Sequence, residues 1–196
     1  MVEHYSEIQG WFNYENHYDK VIAHLCERLK TSFPKEADKS LNIVEIGAWR
    51  GKSSFYIVDK HCQNDDISNI YIVDTWNGSE NEVETSQALV KEMDIYVDFM
   101  RNMRKLHGKF TPIRAQSVDA AKIFDDGMLD YVFIDGEHTY TAVKADIEAW
   151  LPKLSPIGII AGHDYNWEGV KQAVDEFFGD IVQVDESSWV WSVMKP

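Results

Sequence analysis

The sequence has few cysteines, little positive charge and no long apolar run, and these shortages exclude several classes of protein. Its two cysteines, Cys26 and Cys62, form no Cys-x-x-Cys pair, so we expect no structural zinc site. Cys26 lies in an apolar helical stripe typical of a core, and we interpret His61–Cys62 as a helix end. No segment is long and apolar enough to span a membrane, and Met1–Gly10 lacks the features of a signal peptide. We therefore expect no membrane association and a cytoplasmic location.

Positive charge is scarce, because 19 Lys and Arg stand against 33 Asp and Glu, for a formal net charge of −14. Such a surface repels phosphate backbones, so nucleic acid is not an expected partner, whereas a cationic small ligand is compatible with it. The 196 residues, 44% hydrophobic and 27% charged, suffice for one globular domain and are short for two. We predict a single domain over residues 1–196, in which residues 1–35 form an N-terminal helical or lid segment.

Strand and helix patterns alternate along the chain, which predicts an α/β fold with a mostly parallel sheet and helices on both faces. Strands are predicted at Leu41–Gly47, Ile70–Asp74, Phe110–Ala115, Leu129–Asp135, Ile159–Gly162, Ile181–Val184 and Trp189–Met194. The last two would form an antiparallel hairpin. Helices are predicted at Asn16–Lys30, Lys52–His61, Ser86–His107, Val118–Phe124, Thr141–Leu154 and Trp167–Phe178, with a turn at Pro156–Gly158.

A glycine-containing turn follows the first predicted strand, within Val44–Ser54. Glycine at such a turn lets the backbone approach a ligand closely. A P-loop is excluded, because it needs four residues between its first glycine and Gly-Lys-Ser, and only three separate Gly47 from Gly51. The dinucleotide fingerprint Gly-x-Gly-x-x-Gly is absent as well, since Trp49 replaces its second glycine. The turn instead favours a ligand without phosphates, a nucleoside that carries a sulfonium, with Glu45 as a nearby carboxylate.

The second predicted strand ends in an acidic residue, Asp74. An acid in this position can hold both ribose hydroxyls, and its separation from Gly47 is close to that expected between a glycine turn and a ribose-binding acid. The alternative is a plain cap of the turn before Asn77–Gly78. We favour the ribose, because Asp74 directly follows an apolar strand.

Four segments, taken in order, resemble those of a known family. They are Glu45–Ser53 (EIGAWRGKS), Val73–Trp76 (VDTW), Phe133–Tyr140 (FIDGEHTY) and Ala161–Tyr165 (AGHDY). Together they resemble the class I methyltransferases that use S-adenosylmethionine, and in particular the branch of macrocin-type sugar O-methyltransferases and cephalosporin-hydroxylase-like proteins. The resemblance covers roughly Val44–Phe178 and implies a Rossmann-like methyltransferase sheet of seven strands.

The resemblance also implies which residues bind the cofactor, S-adenosylmethionine. They are Glu45 and Gly47 at its methionine end, Ser53 in the same turn, Asp74 on the ribose, Thr75 and Trp76 along the adenosine, Gln116 and Ser117 beside the adenine, and Asp135.

Some relatives hold Mg²⁺ at the ends of the fourth and fifth strands, where this chain has Asp135, His163 and Asp164. Two carboxylates suit Mg²⁺, whereas an imidazole favours manganese, zinc or iron, or removes that ligand from the set. The alternative is that His163 bonds a loop and Asp164 caps the helix near Trp167. We expect a divalent metal, Mg²⁺ or another, on these three residues.

Transfer to a hydroxyl also needs a group that accepts its proton, and His138 and Glu137 follow Asp135 in the position that the family uses. We favour His138, because its ordinary pKa suits the task. The aromatic cluster Trp11–Tyr14 is a lid or packs on the sheet, and Asn77–Glu84 is a second lid or a solvated loop.

The predicted function is methylation of a hydroxyl on a small molecule or sugar. A metal-independent methyltransferase and a non-catalytic nucleoside-binding protein of the same fold are the alternatives. The missing fingerprint disfavours a nicotinamide oxidoreductase. The acceptor's identity and the oligomeric state, a homo-oligomer included, stay open.

Overall fold

Seven strands form one sheet in the computed structural model, which describes residues 1–32, 40–78 and 89–195. The strands are β1 (Leu41–Ile46), β2 (Ile67–Asp74), β3 (Thr111–Arg114), β4 (Leu129–Ile134), β5 (Leu154–Gly162), β6 (Gln183–Asp185) and β7 (Val190–Met194). The helices described in full are α1 (Glu15–Ser32), α2 (Lys52–His61), α3 (Ile95–Asn102), α4 (Ser117–Ala120), α5 (Tyr140–Trp150) and α6 (Glu168–Phe178). Among these residues, no helix combines the length and the apolar character that crossing a bilayer requires.

The strands are ordered β3-β2-β1-β4-β5-β7-β6 across the sheet. Strands β1 to β5 pair in parallel, and β7 is antiparallel to both β5 and β6. The predicted fold class is thereby confirmed. The chain first adds strands on one side of β1 and then crosses to the other side at β4. This reversal opens a crevice at the carboxyl ends of β1 and β4, the place where open α/β sheets bind ligands.

Apolar side chains of the central strands alternate between two cores, one on each face of the sheet. In β1, Leu41 and Ile43 belong to the core under α1, α2 and α3, whereas Val44 and Ile46 belong to the core under α5 and α6. This alternation follows from the two-residue period of a strand. Cys26 lies on the buried stripe of α1, as predicted.

The helix predicted over Ser86–His107 is interrupted. Residues 86–88 lie outside the described ranges, and α3 begins only after Asp94, whose side chain caps it by accepting the backbone N–H groups of Tyr96 and Val97. Asp competes well for such N-cap positions, which explains the break. After Asn102 the chain tightens into the 3₁₀ turn Met103–Leu106.

The predicted turn at Pro156–Gly158 is wrong, because β5 runs without interruption from Leu154 to Gly162. Its pairing with β4 is irregular: Leu129 pairs with Leu154, but Tyr131 pairs with Ile159. A proline fits this irregular stretch, since it cannot donate to a regular ladder. Helix α5 accordingly ends at Trp150, earlier than predicted.

Two further predictions also need correction. Strand β2 begins at Ile67 rather than at Ile70. The single helix predicted over Val118–Phe124 is divided into α4 and the 3₁₀ turn Ala121–Ile123.

Candidate active site

A cavity of about 810 Å³ lies at the carboxyl ends of β1 to β5. This volume is ordinary for a small-molecule site. Its walls are the turn after β1, the segments after β2, β3, β4 and β5, one face of α5, and part of the N-terminal segment. The predicted site residues that line it are Gly47, Ser53, Asp74, Thr75, Gln116, Ser117, Asp135, Glu137, His138, His163 and Asp164.

The glycine turn is packed tightly against the loop that follows β4. Gly47 has a φ of +90°, and a Cβ on it would lie 1.9 Å from the carbonyl oxygen of Asp135. No other residue fits that approach. Glycine at this position therefore joins the ends of two neighbouring strands, in addition to exposing backbone to the cavity.

Asp74 connects the segments that follow β1 and β2. Its Oδ2 accepts the backbone N–H groups of Ala48 and Trp49 at 2.8 Å each, and its Oδ1 accepts that of Trp76 at 2.6 Å. Burial raises the pKa of Asp74, although these backbone bonds lower it. Asp74 thereby fixes the glycine turn relative to Thr75, which lines the cavity.

Glu45 lies beneath the cavity and does not line it, so the predicted direct contact with the cofactor is corrected. It shares a strand face with Leu41 and Ile43, is fully buried, and accepts hydrogen bonds from the hydroxyls of Tyr18 (2.9 Å) and Ser54. Burial raises the pKa of Glu45 to about 7, against the lowering effect of these hydroxyls and of Ser53. The alternation of β1 accounts for this placement.

Trp76 also lies outside the cavity wall, contrary to prediction. Its side chain is 2% exposed and packs against Tyr96 and Phe99 of α3. The indole Nε1–H donates to the carbonyl of Trp49 at 2.9 Å. Both tryptophans adopt left-handed φ angles, +53° and +49°, which bulky residues adopt only where the surroundings impose them. Trp76 therefore supports the turn from behind.

Two carboxylates and two imidazoles meet at the ends of β4 and β5. Nε2 of His138 lies 3.0 Å from Oδ2 of Asp164 and 3.9 Å from Oδ1 of Asp135. Nδ1 of His163 lies 3.1 Å from Oδ2 of Asp164 and 3.6 Å from Oδ1 of Asp135. The structure thus brings together the predicted metal ligands and the favoured base.

The protonation of these imidazoles follows from their neighbours. Burial lowers the pKa values of His138 and His163, but Asp135 and Asp164 outweigh it and raise them to about 9 and about 10. Burial raises the pKa of Asp164, and the two imidazoles outweigh it and hold that pKa well below its usual range. At neutral pH both imidazoles are therefore in the cationic form, protonated on both ring nitrogens, and His138 can act as a base only after it loses one of these protons.

The cluster fits a divalent cation. Asp135, His138 and Asp164 each offer a ligand atom, and these atoms lie within 4.8 Å of one another. Nε2 of His138 is buried and faces the carboxylates of Asp164 and Asp135, so it can bind a metal beside them once its proton has left. His138 thus lies with the predicted ligands Asp135 and Asp164, whereas His163 is not in this group and stays a predicted ligand. Mixed oxygen and nitrogen donors suit manganese, zinc or iron better than magnesium.

Tyr14 is a site residue that sequence reasoning missed. Its hydroxyl donates to Oδ2 of Asp135 at 2.7 Å, and its ring packs against Phe133 and His163. Burial and the nearby carboxylates raise the pKa of Tyr14 well above its ordinary value, so it remains a donor. No sequence signal links two residues 121 positions apart.

The N-terminal segment forms one rim of the cavity. Lys52 Nζ donates to the carbonyl of Gly10 at 2.9 Å, and Trp11 is 68% exposed at the rim. Phe12, by contrast, packs into an aromatic cluster with Tyr14 and Tyr18. The segment therefore both packs on the sheet side and borders the cavity. The other proposed lid, Asn77–Glu84, lies outside the described residues from position 79 onward.

Fold and site together define a Rossmann-like α/β protein with a ligand crevice at its switch point. The family model described as "Methyltransferase domain" matches residues 44–165, more than half of the chain. The chain belongs to this family, and membership implies the use of S-adenosylmethionine.

One curated relative is similar to part of this chain. Uncharacterized protein y4gI of Sinorhizobium fredii (strain NBRC 101917 / NGR234) is 34% identical over 126 residues, which is 62% of this chain and 13% of that protein. The chain thus spans a small part of that relative's length.

Two solved structures share the fold. The O-methyltransferase NovP has a TM-score of 0.63 and 17% identity, covering 91% of this chain and 79% of its own. CalS11, a TDP-rhamnose 3'-O-methyltransferase in calicheamicin biosynthesis, has a TM-score of 0.57 and 13% identity, covering 92% of this chain and 77% of its own.

Proposed function

We propose that the protein methylates a hydroxyl group of a small molecule or sugar, with S-adenosylmethionine as methyl donor and a divalent cation at Asp135, His138 and Asp164. The observation that carries the proposal is that one cavity is lined both by a glycine turn without a phosphate-binding motif and by a carboxylate–imidazole cluster. Two similar structures are O-methyltransferases, and one of them acts on TDP-rhamnose, which supports a hydroxyl on a sugar or similar molecule as the acceptor.

Cofactor binding falls to the side of the cavity formed after β1, β2 and β3. S-Adenosylmethionine, when bound, supplies a methyl group on a positively charged sulfur. The proposed space for its nucleoside is bordered by the turn at Gly47, which Asp74 holds in place. Thr75 and, after β3, Gln116–Ser117 line the same cavity. The surrounding negative charge favours a cationic ligand over a neutral one.

Acceptor binding falls to the side formed after β4 and β5. A divalent cation, when bound, would lower the pKa of a coordinated hydroxyl and replace the protons on the imidazoles. Tyr14 fixes one oxygen of Asp135, which leaves the other facing His138 and His163. Glu137 lines the cavity and remains as a proton acceptor when the cation is bound, whereas His138 can accept the proton only in the protein without a metal.

The indoles of Trp11 and Trp167 stand at the rim, 68% and 43% exposed, and the Trp167 ring lies 4.9 Å from that of His138. We infer that they close the mouth over the acceptor and limit the access of water. Holding the acceptor close to the methyl group is the protein's main contribution to the rate.

An Asp135→Asn variant tests the assignment. We expect it to bind S-adenosylhomocysteine within about threefold of wild type, and to lose Mn²⁺ binding and at least about 100-fold in turnover, since it removes a ligand and an electrostatic contribution to the transition state. Calorimetry, Mn²⁺ electron paramagnetic resonance and a methyl-transfer assay on a panel of sugars and phenols measure the three effects. Asp126→Asn removes an equal charge from the surface and should change none of them.

Each alternative function has its own outcome. Full turnover of Asp135→Asn, or of wild type after exhaustive EDTA treatment, would establish a metal-independent methyltransferase. Tight binding of S-adenosylhomocysteine without transfer to any acceptor would favour a non-catalytic binding protein.

A further inference from the structure

Asp146 is a buried carboxylate in the cavity wall that the reaction described above does not use. It lies on α5, is 5% exposed and lines the cavity together with Ala142 and Ala145. These three residues are spaced i, i+3 and i+4, so they share one face of the helix. The two small alanines leave that face flat, and the carboxylate lies at its end.

Ser117 connects Asp146 to the part of the cavity proposed for the nucleoside. The indole of Trp150 donates to the Ser117 Oγ at 2.8 Å. An indole can only donate, so the Ser117 hydroxyl keeps its own hydrogen for another acceptor. Asp146 is the acidic group next to this hydroxyl: burial raises the pKa of Asp146 to about 6, and the neighbouring Ser117 partly offsets that rise.

The carboxylate is not otherwise compensated within the described residues, where no Lys, Arg or His forms an ion pair with it. A buried carboxylate with one donor is costly, since each oxygen accepts two hydrogen bonds. The cavity is also lined by Ala115 and Val118, and by the polar Gln116 and Ser117 between them. A flat helix face with an acceptor at its end is complementary to a flat heterocycle bearing an amino group.

We propose that Asp146 accepts a hydrogen bond from the exocyclic amino group of the cofactor's adenine, and that it selects adenosine against deaminated nucleosides. The proposal rests on the function proposed above. A carboxylate accepts from an amino group but has nothing to donate to the carbonyl oxygen that replaces that group in hypoxanthine. The acidic side chain of α5 thus determines which base the cavity accepts.

Binding of two ligands by three proteins tests the proposal. The ligands are S-adenosylhomocysteine and S-inosylhomocysteine, which differ at the purine C6 edge: the first has an amino group and an unprotonated N1, and the second has a carbonyl and an N1–H. The proteins are wild type, Asp146→Asn and Asp119→Asn. Wild type should bind the adenosine ligand at least about tenfold more tightly, as expected for a hydrogen bond to a charged group. In Asp146→Asn the ratio should fall to within about threefold or invert, because the amide can donate to the carbonyl oxygen. Asp119 is exposed on α4, and its variant should keep the wild-type ratio.

The outcomes separate the two proposals. If wild type binds both ligands equally, the role of Asp146 is wrong while the cofactor assignment stands, and this comparison needs no variant to fold. An unchanged ratio in folded Asp146→Asn has the same meaning. If wild type binds neither ligand, the proposed function fails and the role of Asp146 fails with it.

Discussion

The carboxylate of Asp74 accepts backbone hydrogen bonds from two different loops and so holds them together at the cavity wall. An ionised carboxylate offers about four acceptor positions. Three are taken by the N–H groups of Ala48, Trp49 and Trp76, and the backbone of Thr75 also interacts with it. Of the two interpretations made from the sequence, these contacts are those of a turn cap, and binding of the ribose by Asp74 stays a prediction.

Replacing Asp74 by Asn should damage folding and cofactor binding together. The amide nitrogen would face a backbone N–H wherever it points, so one donor loses its acceptor at a cost of about 1–3 kcal/mol in unfolding free energy. We expect at least about tenfold weaker binding of S-adenosylhomocysteine, because the glycine turn loses its anchor. Urea denaturation and calorimetry measure the two effects.

Asp94→Asn is the matched control for that variant. Asp94 also accepts two backbone N–H groups, at the exposed start of α3, where Asn caps about equally well. Its substitution should leave both measurements near wild type. Equal effects of the two variants would show that Asp74 has no special place in the cavity.

At the scale of elements, the first turn of α6 is pressed against the loop that carries His138. A Cβ on Gly169 would lie 2.6 Å from the carbonyl oxygen of His138 and 2.7 Å from the amide nitrogen of Tyr140. Both are backbone atoms, so they cannot give way as a flexible side chain would. The contact between α6 and the start of α5 therefore sets the position of the cluster.

Gly169→Ala should destabilise the protein although alanine is the better helix former. The gain in helix propensity is about 1 kcal/mol, and overpacking of this kind costs about 1–3 kcal/mol. The larger consequence is a displaced His138, which we expect to weaken Mn²⁺ binding by at least about tenfold. Glu168→Ala, next to it and exposed, should change stability by no more than about 1 kcal/mol and leave Mn²⁺ binding intact. Unaltered Mn²⁺ binding in folded Gly169→Ala would contradict the role given to this contact.

The whole molecule carries a net charge of −14, and at the cluster the carboxylates of Asp135 and Asp164 face two protonated histidines. Their folded-state pKa values, about 9 for His138 and about 10 for His163, lie above the ordinary value of 6.5. Each proton therefore favours the folded state fully below pH 6.5, and this contribution is lost as the pH rises through the folded-state values.

The metal-free protein should consequently lose stability between pH 7 and pH 10, a range set by those pKa values. Thermal unfolding in EDTA measures the decline. A His138→Gln, His163→Gln double variant lacks both titrations and keeps every other charge, so its curve should be flatter. Parallel curves for the two proteins would show that these histidines do not carry the effect.

Much of the fold and part of the site were predictable from local patterns. The continuous apolar runs of β1 and β4 are typical of strands buried on both faces, and the apolar stripe of α1 follows the 3.6-residue period of a helix. The grouping of the polar and acidic residues that follow the strands was also predictable, since parallel strands bring their carboxyl ends to one edge of the sheet. The break before α3 and the irregular β5 were missed, because a capping side chain and a distorted register depend on specific contacts.

The sequence by itself determined the kind of sheet and which residues reach its active edge, because strand alternation and turn chemistry are local properties. Only the tertiary structure decided where those side chains point. It turned Glu45 beneath the cavity, set Trp76 behind the turn and joined Tyr14 to Asp135. It also placed Asp146 in the wall beside Ser117. These contacts join residues far apart in the chain, so their geometry exists only once the two cores have packed.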